Sequence, residues 1–340
     1  MNKSYWSLVF LITLLSCVDS KEARIQQFLL KGNIATKERS FDRASYYYGE
    51  AIRLEPCYAD AWNNLGTVYF EQKRFELATE KYDKAISCRP DFINAFFNRA
   101  NAAYELKEYY KSIADLDKVI ATKPDTALSH FTKGLVYTRM RAFDKALLSF
   151  EKAITIDPNN VDYKVNHAIV YYYLRNFNTA RQELEAVMRI KKDEPNSYNT
   201  LSLIEVEEGS YSEALKLVNK AIELAPDQAY FLNNRGFIYL GLNDLQKAEA
   251  DINQSISSDP YNGWAYRNKG IYYLMTHDYK SAERLLKQAL DMDSFIDKIY
   301  FYYGMALMKN GDKAHACTSF KKSEERGDKM VTTDLIKLCK

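Results

Sequence analysis

The chain is poor in the residues that build reactive centres. It has only 4 His in 340 residues: His130, His167, His277 and His315. None pairs with another His or with Cys at metal-ligand spacing. No nucleophile elbow, phosphate loop or paired-carboxylate constellation occurs. His130 and His167 fall on core-facing positions, and the Glu205 to Glu208 cluster reads as a solvated helix face. These absences exclude a recognisable active site and leave no cofactor to expect. Strand punctuation is also missing, with no alternating β-branched runs bounded by turn pairs, which excludes a sheet protein. Charge of one sign is lacking too: 47 basic and 45 acidic residues are interspersed and give a net charge of +2. No basic block marks a nucleic-acid footprint, so no nucleic-acid partner is expected, and no small-molecule substrate either. The apolar stretch from Tyr5 to Leu15 is too short to cross a bilayer, which takes about 20 residues.

Proline is scarce, with 7 residues, yet it is placed regularly. Pro56, Pro90, Pro124 and Pro158 recur every 34 residues; the beat is missed at Lys192, resumes at Pro226 and Pro260, and is missed again at Ser294. A fixed period of this size means one structural unit copied many times. Units then begin at Ile25, Ala59, Ile93, Ala127, Val161, Pro195, Ala229, Gly263 and Asp297. Apolar residues at unit positions 4, 7, 8 and 11 lie on one face of a first helix. Position 8 is small in every unit: Gly32, Gly66, Ala100, Gly134, Ala168, Ser202, Gly236, Gly270 and Gly304. Position 20 is Ala in all units but the third, where it is Ser112. Two small columns imply two helices packed tightly antiparallel. Position 17 is aromatic in seven units, Phe41, Phe75, Tyr109, Phe143, Phe177, Tyr211 and Tyr279, and should open the second helix. The proline then stops that helix. The two missed beats predict longer or looser connections near Lys192 and Ser294.

The second unit, with Trp62, Leu65, Gly66, Tyr69, Ala78, Tyr82, Ala85 and Pro90, resembles the tetratricopeptide repeat at each signature position. The resemblance extends over about nine units. It implies an all-α fold: a right-handed superhelical solenoid of nine helix-turn-helix repeats over 25–330, closed by a capping helix over 331–340. Such a stack has no single core and needs capped ends.

The first residues differ in kind. Lys3 precedes the apolar stretch, which ends in Leu14-Leu15-Ser16-Cys17 and matches a secretory signal core. The ending resembles the lipobox of bacterial lipoproteins. That resemblance implies a signal peptide over 1–16, cleavage before Cys17, and diacylglycerol and a further acyl chain such as palmitate on Cys17. Several chains together give durable membrane anchoring. An ordinary signal peptide with an incidental Cys is the alternative. Val18 after the Cys favours, by analogy with enteric sorting, the outer membrane. Residues 17–24 would form a lipidated tether, polar from Ser20 to Arg24.

Four further cysteines remain. Cys317 and Cys339 lie 11 residues either side of Asp328. A chain reversal there brings them level, so a bond stapling the C-terminal cap is expected, with two buried thiols as the alternative. Cys57 and Cys88 lie in successive connections and are expected more than about 7 Å apart, too far to bond.

Position 6 of the first helix points to the inside of the superhelix. It reads Asn64, Asn98, Thr132, Asn166, Thr200, Asn234 and Asn268. An amide offers donor and acceptor together and pairs with a peptide backbone regardless of sequence; relatives of this repeat family that bind unfolded peptides carry such ladders. Neighbouring inward positions add Asn33, Phe97, Asn101, Tyr104, Phe131, Tyr172, Trp264 and Arg267, and exposed aromatics among amides mark recognition surfaces. The alternative is that Asn here belongs to the scaffold. The family's clamp for chaperone carboxylates is absent, because Leu29, Asn94 and Asn98 fill its basic places. The function expected is a non-enzymatic, membrane-anchored envelope scaffold that holds protein or peptide partners in its concave groove. A structural subunit of a secretion, assembly or uptake complex, docked by its convex face or edges, is the rival.

Overall fold

A computed structural model describes the backbone of residues 4–339 and the side chains of residues 21–339. The apolar stretch from Tyr5 to Leu15 and Cys17, the expected acylation site, lie outside the described side chains. Among the described residues the chain is helical, with no strand. Its 34-residue period appears as helical hairpins: α1 (Ser4–Lys37) with α2 (Phe41–Leu54), α3 (Ala59–Glu71) with α4 (Phe75–Cys88), α5 (Ile93–Glu105) with α6 (Tyr109–Thr122), and α7 (Ala127–Arg139) with α8 (Phe143–Ile156). Next come α9 (Val161–Tyr173), α10 (Phe177–Ile190), α11 (Pro195–Glu207) with α12 (Tyr211–Leu224), and α13 (Ala229–Gly241) with α14 (Leu245–Ser258). The last are α15 (Gly263–Met275) with α16 (Tyr279–Met292), α17 (Ile299–Lys309) with α18 (Lys313–Glu325), and the short α19 (Thr333–Lys337). The chain divides into two compact units, one ending at Val170 and one beginning at Tyr171. In the N-terminal unit the first helices α1, α3, α5 and α7 touch in succession; in the C-terminal unit α11, α13, α15 and α17 do the same. These rows of first helices form the inner side of each stack.

The periodic sequence sets the boundaries. The aromatic column at position 17 supplies the first residue of α2, α4, α6, α8, α10, α12 and α16. In each hairpin the residue at position 15 turns left-handed, from Arg39 (φ 56°) through Lys73, Lys107, Arg141 and Arg175 to His277 (φ 65°), with Gly209 and Gly311 at the same place. This residue ends the first helix and lets the chain double back. The small residue at position 8 has a definite opponent: a Cβ on Gly66 would lie 2.5 Å from Cε1 of Tyr82, and one on Gly134 would lie 2.5 Å from Cε1 of Phe150. The large residue sixteen positions on therefore fills the gap, while the Ala column at position 20 is fully buried beside it. Polar tips at position 4 close the preceding turn: Trp62 Nε1 donates to the Pro56 carbonyl at 2.9 Å, and His130 Nε2 lies 3.1 Å from that of Pro124.

The two missed prolines behave differently. Near Lys192 the connection is no longer than elsewhere, contrary to expectation. Pro195 is the first residue of α11, a place where its ring fits a helix start, and the buried Glu194 carboxylate caps it by accepting from the Ser197 amide at 2.5 Å. At Ser294 the expectation is met, since α17 starts at Ile299 rather than at Asp297. The polar stretch expected as a tether is helical, continuous with α1, and Lys21 pairs with Glu55 at 2.6 Å.

Both remaining cysteine pairs are disulfides. Cys317–Cys339 has a Cα separation of 5.5 Å and ties α18 to the segment after α19. Cys57–Cys88 has a separation of 5.2 Å, which corrects the expectation that these residues are too far apart. Position 33 of one connection lies against position 30 of the next. The same 31-residue relation places Arg326 over the Phe295 ring at 4.5 Å.

Candidate functional site

The amide column is mostly spent within the stack. Asn98 Nδ2 donates to Asn63 Oδ1 at 2.9 Å, Asn234 Nδ2 to Asn199 Oδ1 at 2.8 Å, and Asn268 Nδ2 to Asn233 Oδ1 at 2.8 Å. Each bond joins position 6 of one repeat to position 5 of the repeat before. Asn64 instead reaches Asn33 Oδ1 at 3.1 Å, and Asn33 also accepts from the Tyr48 hydroxyl at 2.7 Å. Asn166 donates to the Asp162 carbonyl of its own helix at 2.9 Å, and Thr132 to that of Leu128 at 2.9 Å. At Asn64, Asn98, Asn234 and Asn268 the ladder is a seam between repeats. Thr132, Thr200 and Asn268 are buried and offer nothing to a partner, which corrects their reading as groove contacts. The physical reason is that position 6 lies where adjacent first helices meet, so an amide there finds its neighbour before it finds a guest.

In the C-terminal unit the expected inward residues pack against one another. Arg267 is 3% exposed. Its Nε and Nη2 fork onto Asn268 Oδ1 at 3.0 and 2.7 Å, and Nη1 donates to the Asp297 carbonyl at 3.0 Å. Its guanidinium lies 4.9 Å from the Trp264 ring and 4.6 Å from that of Phe237. Burial pushes its pKa down and pushes the Tyr172 hydroxyl up. Tyr172 also packs on Phe177 at 5.9 Å. Arg267 is thus a packed residue, not an exposed contact.

The N-terminal unit keeps an open stripe. Asn94, Phe97, Asn101 and Tyr104 are spaced 3, 4 and 3 residues apart on α5, so they share one face. Asn94 is exposed; Phe97, Asn101 and Tyr104 are half-buried. Tyr104 is braced by Tyr109 at 6.3 Å and accepts from Arg139 Nε at 2.9 Å. Phe131 continues the stripe on α7, its ring tilted against that of Tyr163 at 4.8 Å. The half-exposed rings are therefore held in place rather than loose. Among the described residues no cluster of His, Cys, Asp or Glu is arranged to hold a metal ion. No helix among them is long and apolar enough to cross a membrane.

Sequence profiles described as tetratricopeptide repeat match residues 59–92, 127–160, 195–228, 217–250 and 267–329, together more than half of the chain. The chain belongs to the tetratricopeptide repeat family. Members of this family serve as protein-interaction scaffolds, and no catalytic family is among the matches. No curated protein sequence matches the chain. Among solved structures, the Cut9–Hcn1 hetero-tetramer of the APC/C is similar at a TM-score of 0.62 and 17% identity, over 87% of this chain and 58% of that one. Pseudomonas aeruginosa pilF gives 0.52 and 19%, over 62% of this chain and 96% of that one. The human IFIT1 dimer with m7Gppp-AAAA gives 0.60 and 15%, over 89% and 77%. The chain spans little more than half the length of its Cut9 counterpart, and at these identities the likeness is one of fold.

Proposed function

We propose that the protein is a non-enzymatic scaffold of the bacterial envelope, moored by lipid on Cys17, that binds an extended segment of a protein partner along the inner face of its N-terminal unit. The observation that carries this reading is the α5 stripe. Asn94 and Asn101 alternate with the rings of Phe97 and Tyr104, and their amides are not used in the seam. Amides with both donor and acceptor suit a peptide backbone, and rings fixed by neighbours lose little freedom on binding. The C-terminal unit, whose inner side chains satisfy one another, contributes less. Two disulfides support an oxidising compartment, in keeping with the signal sequence and its lipobox; outer-membrane residence rests on Val18 by analogy.

A second reading has its own support. Tyr46 and Leu148, both at position 22 of second helices, are 62% exposed, and apolar groups there would suit docking by the outer face of a larger assembly. The two separate by mutation. Asn94, Asn101 and Tyr104 changed together to Ala should abolish partner recovery after crosslinking in native membranes, with Tyr46 and Leu148 changed to Ser having no effect; the reverse pattern sinks the groove reading.

A further inference from the structure

One contact in the C-terminal unit joins residues 91 positions apart. Glu207, the last residue of α11, is held from two sides. Arg175, in the turn after α9, donates from Nη2 to its Oε2 at 2.5 Å. Lys298, just before α17, reaches its Oε1 at 3.3 Å. The Glu207 side chain is 10% exposed and that of Lys298 is 22% exposed. Lys298 also lies 3.3 Å from the Asp297 carboxylate. The bridge therefore ties the sixth repeat directly to the ninth, passing over the inner face of the two between.

The backbone at Lys298 is set for this contact. Among the described residues every other non-glycine residue with positive φ sits at position 15 of its repeat; Lys298, at position 2, turns left-handed with φ 57°. A bulky residue there is strained, and the strain persists only when its surroundings hold it. It falls in the one connection that is two residues longer than the rest, where Ser294 replaces the periodic proline. The extra length turns Lys298 inward. Its neighbour Asp297 lends a carbonyl to Arg267, so the two halves of the closure are joined through adjacent residues. Tyr172 lies near Glu207 and Tyr302 near Lys298, close enough for each charge to act on the neighbouring hydroxyl. Burial raises the pKa of both hydroxyls. For Lys298, burial alone would lower the pKa, but Asp297 and Glu207 outweigh it and raise it. The ammonium is thus kept charged in its half-buried place.

We propose that the Arg175–Glu207–Lys298 bridge is an autoinhibitory clasp that holds the inner face of the C-terminal unit shut over Tyr172, Arg267 and Tyr302, so that releasing it opens a second aromatic face. The clasp goes beyond the partner-binding reading above and does not depend on it. A partly buried ion pair is a suitable latch: leaving one member alone is strongly unfavourable, whereas the closed pair adds little net stability.

Tetranitromethane attacks phenolate, so its rate at each tyrosine reports both access and pKa. In the mature chain, nitration of Tyr172 and Tyr302 is followed by peptide mass spectrometry, with Tyr82 of the N-terminal unit as the internal control. Glu207→Gln should accelerate nitration at both positions about tenfold, the change that one unit of tyrosine pKa produces in phenolate population, and leave Tyr82 unchanged. Loss of the Glu207 charge by itself favours the Tyr172 phenolate, so Lys298→Met, which keeps that charge and the Arg175–Glu207 pair, decides the matter: it should accelerate nitration at both positions, although loss of the Lys298 charge alone would slow it at Tyr302. Wild-type rates at Tyr172 and Tyr302 in a folded variant overturn the clasp. An equal rise at Tyr82 in both variants also overturns it, since the bridge would then merely support the fold.

Discussion

Gly66 and Tyr82 share one space: a Cβ at residue 66 would stand 2.5 Å from Cε1 of the buried ring. The ring of the second helix takes the volume that the first helix gives up. Gly66→Ala should therefore destabilise the protein by about 1–3 kcal/mol through overpacking. Adding Tyr82→Leu should recover part of the loss, because the third repeat already combines Ala100 with Leu116 in one packed cluster. Urea midpoints of the single and double variants test the coupling; additive losses would contradict it.

The amide seam leads to a contrast in stability. Asn268 is 1% exposed and serves Asn233 on one side and Arg267 on the other. Asn268→Ala leaves buried donors and acceptors without partners and should cost about 1–3 kcal/mol for each. Asn101→Ala, on the open stripe, should change stability by less than about 0.5 kcal/mol. Equal losses at the two positions in urea unfolding would refute the division between seam and open face.

Both disulfides should resist alkylation under non-reducing conditions at Cys57, Cys88, Cys317 and Cys339. Replacing Cys57 and Cys88 together by Ser should lower stability by about 3–4 kcal/mol, the effect of closing a loop of this length in the unfolded chain. Replacing Cys317 and Cys339 should instead release α19 to proteolysis first, since none of its residues is buried. Free thiols at Cys57 and Cys88 in the unreduced protein would contradict the observed pairing.

Tyr82 ties stability to alkaline pH. Burial pushes its hydroxyl up to about 12, against about 10 in an unfolded chain. The folded state thus favours the neutral phenol. Its contribution is fully present below pH 10 and is lost as pH rises from 10 towards 12, by about 2–3 kcal/mol in all. Tyr82→Phe should flatten that limb of the stability curve. Absorbance of phenolate at alkaline pH, followed beside unfolding, measures it; an unchanged slope in the variant would exclude Tyr82 as its source.

Much of the fold is legible because it repeats. Seven second helices open on the aromatic residues of position 17, and the small residues of position 8 mark where two helices close. These are local patterns written several times over. The Cys57–Cys88 bond is not legible, because it depends on how consecutive connections stack, a relation that spacing within one repeat does not carry. The amide column is visible as a column, but its partners are not: the sequence shows Asn98 and Asn268 alike, while the distances show both bonded to the preceding repeat. Arg267 reads as an inward cation, and only the packing of Trp264 and Phe237 around it reveals that it is enclosed. Glu207 and Lys298, in the sixth and ninth repeats, carry no sequence signal of their meeting.

The most direct test of partner capture is site-specific photocrosslinking in intact cells. A benzophenone side chain is placed in turn at Phe97 and Tyr104 on the inner stripe and at Leu148 on the outer face. Adducts with a common protein at Phe97 and Tyr104, and none at Leu148, are the expected result. Adducts confined to Leu148, with both inner positions silent, would contradict it.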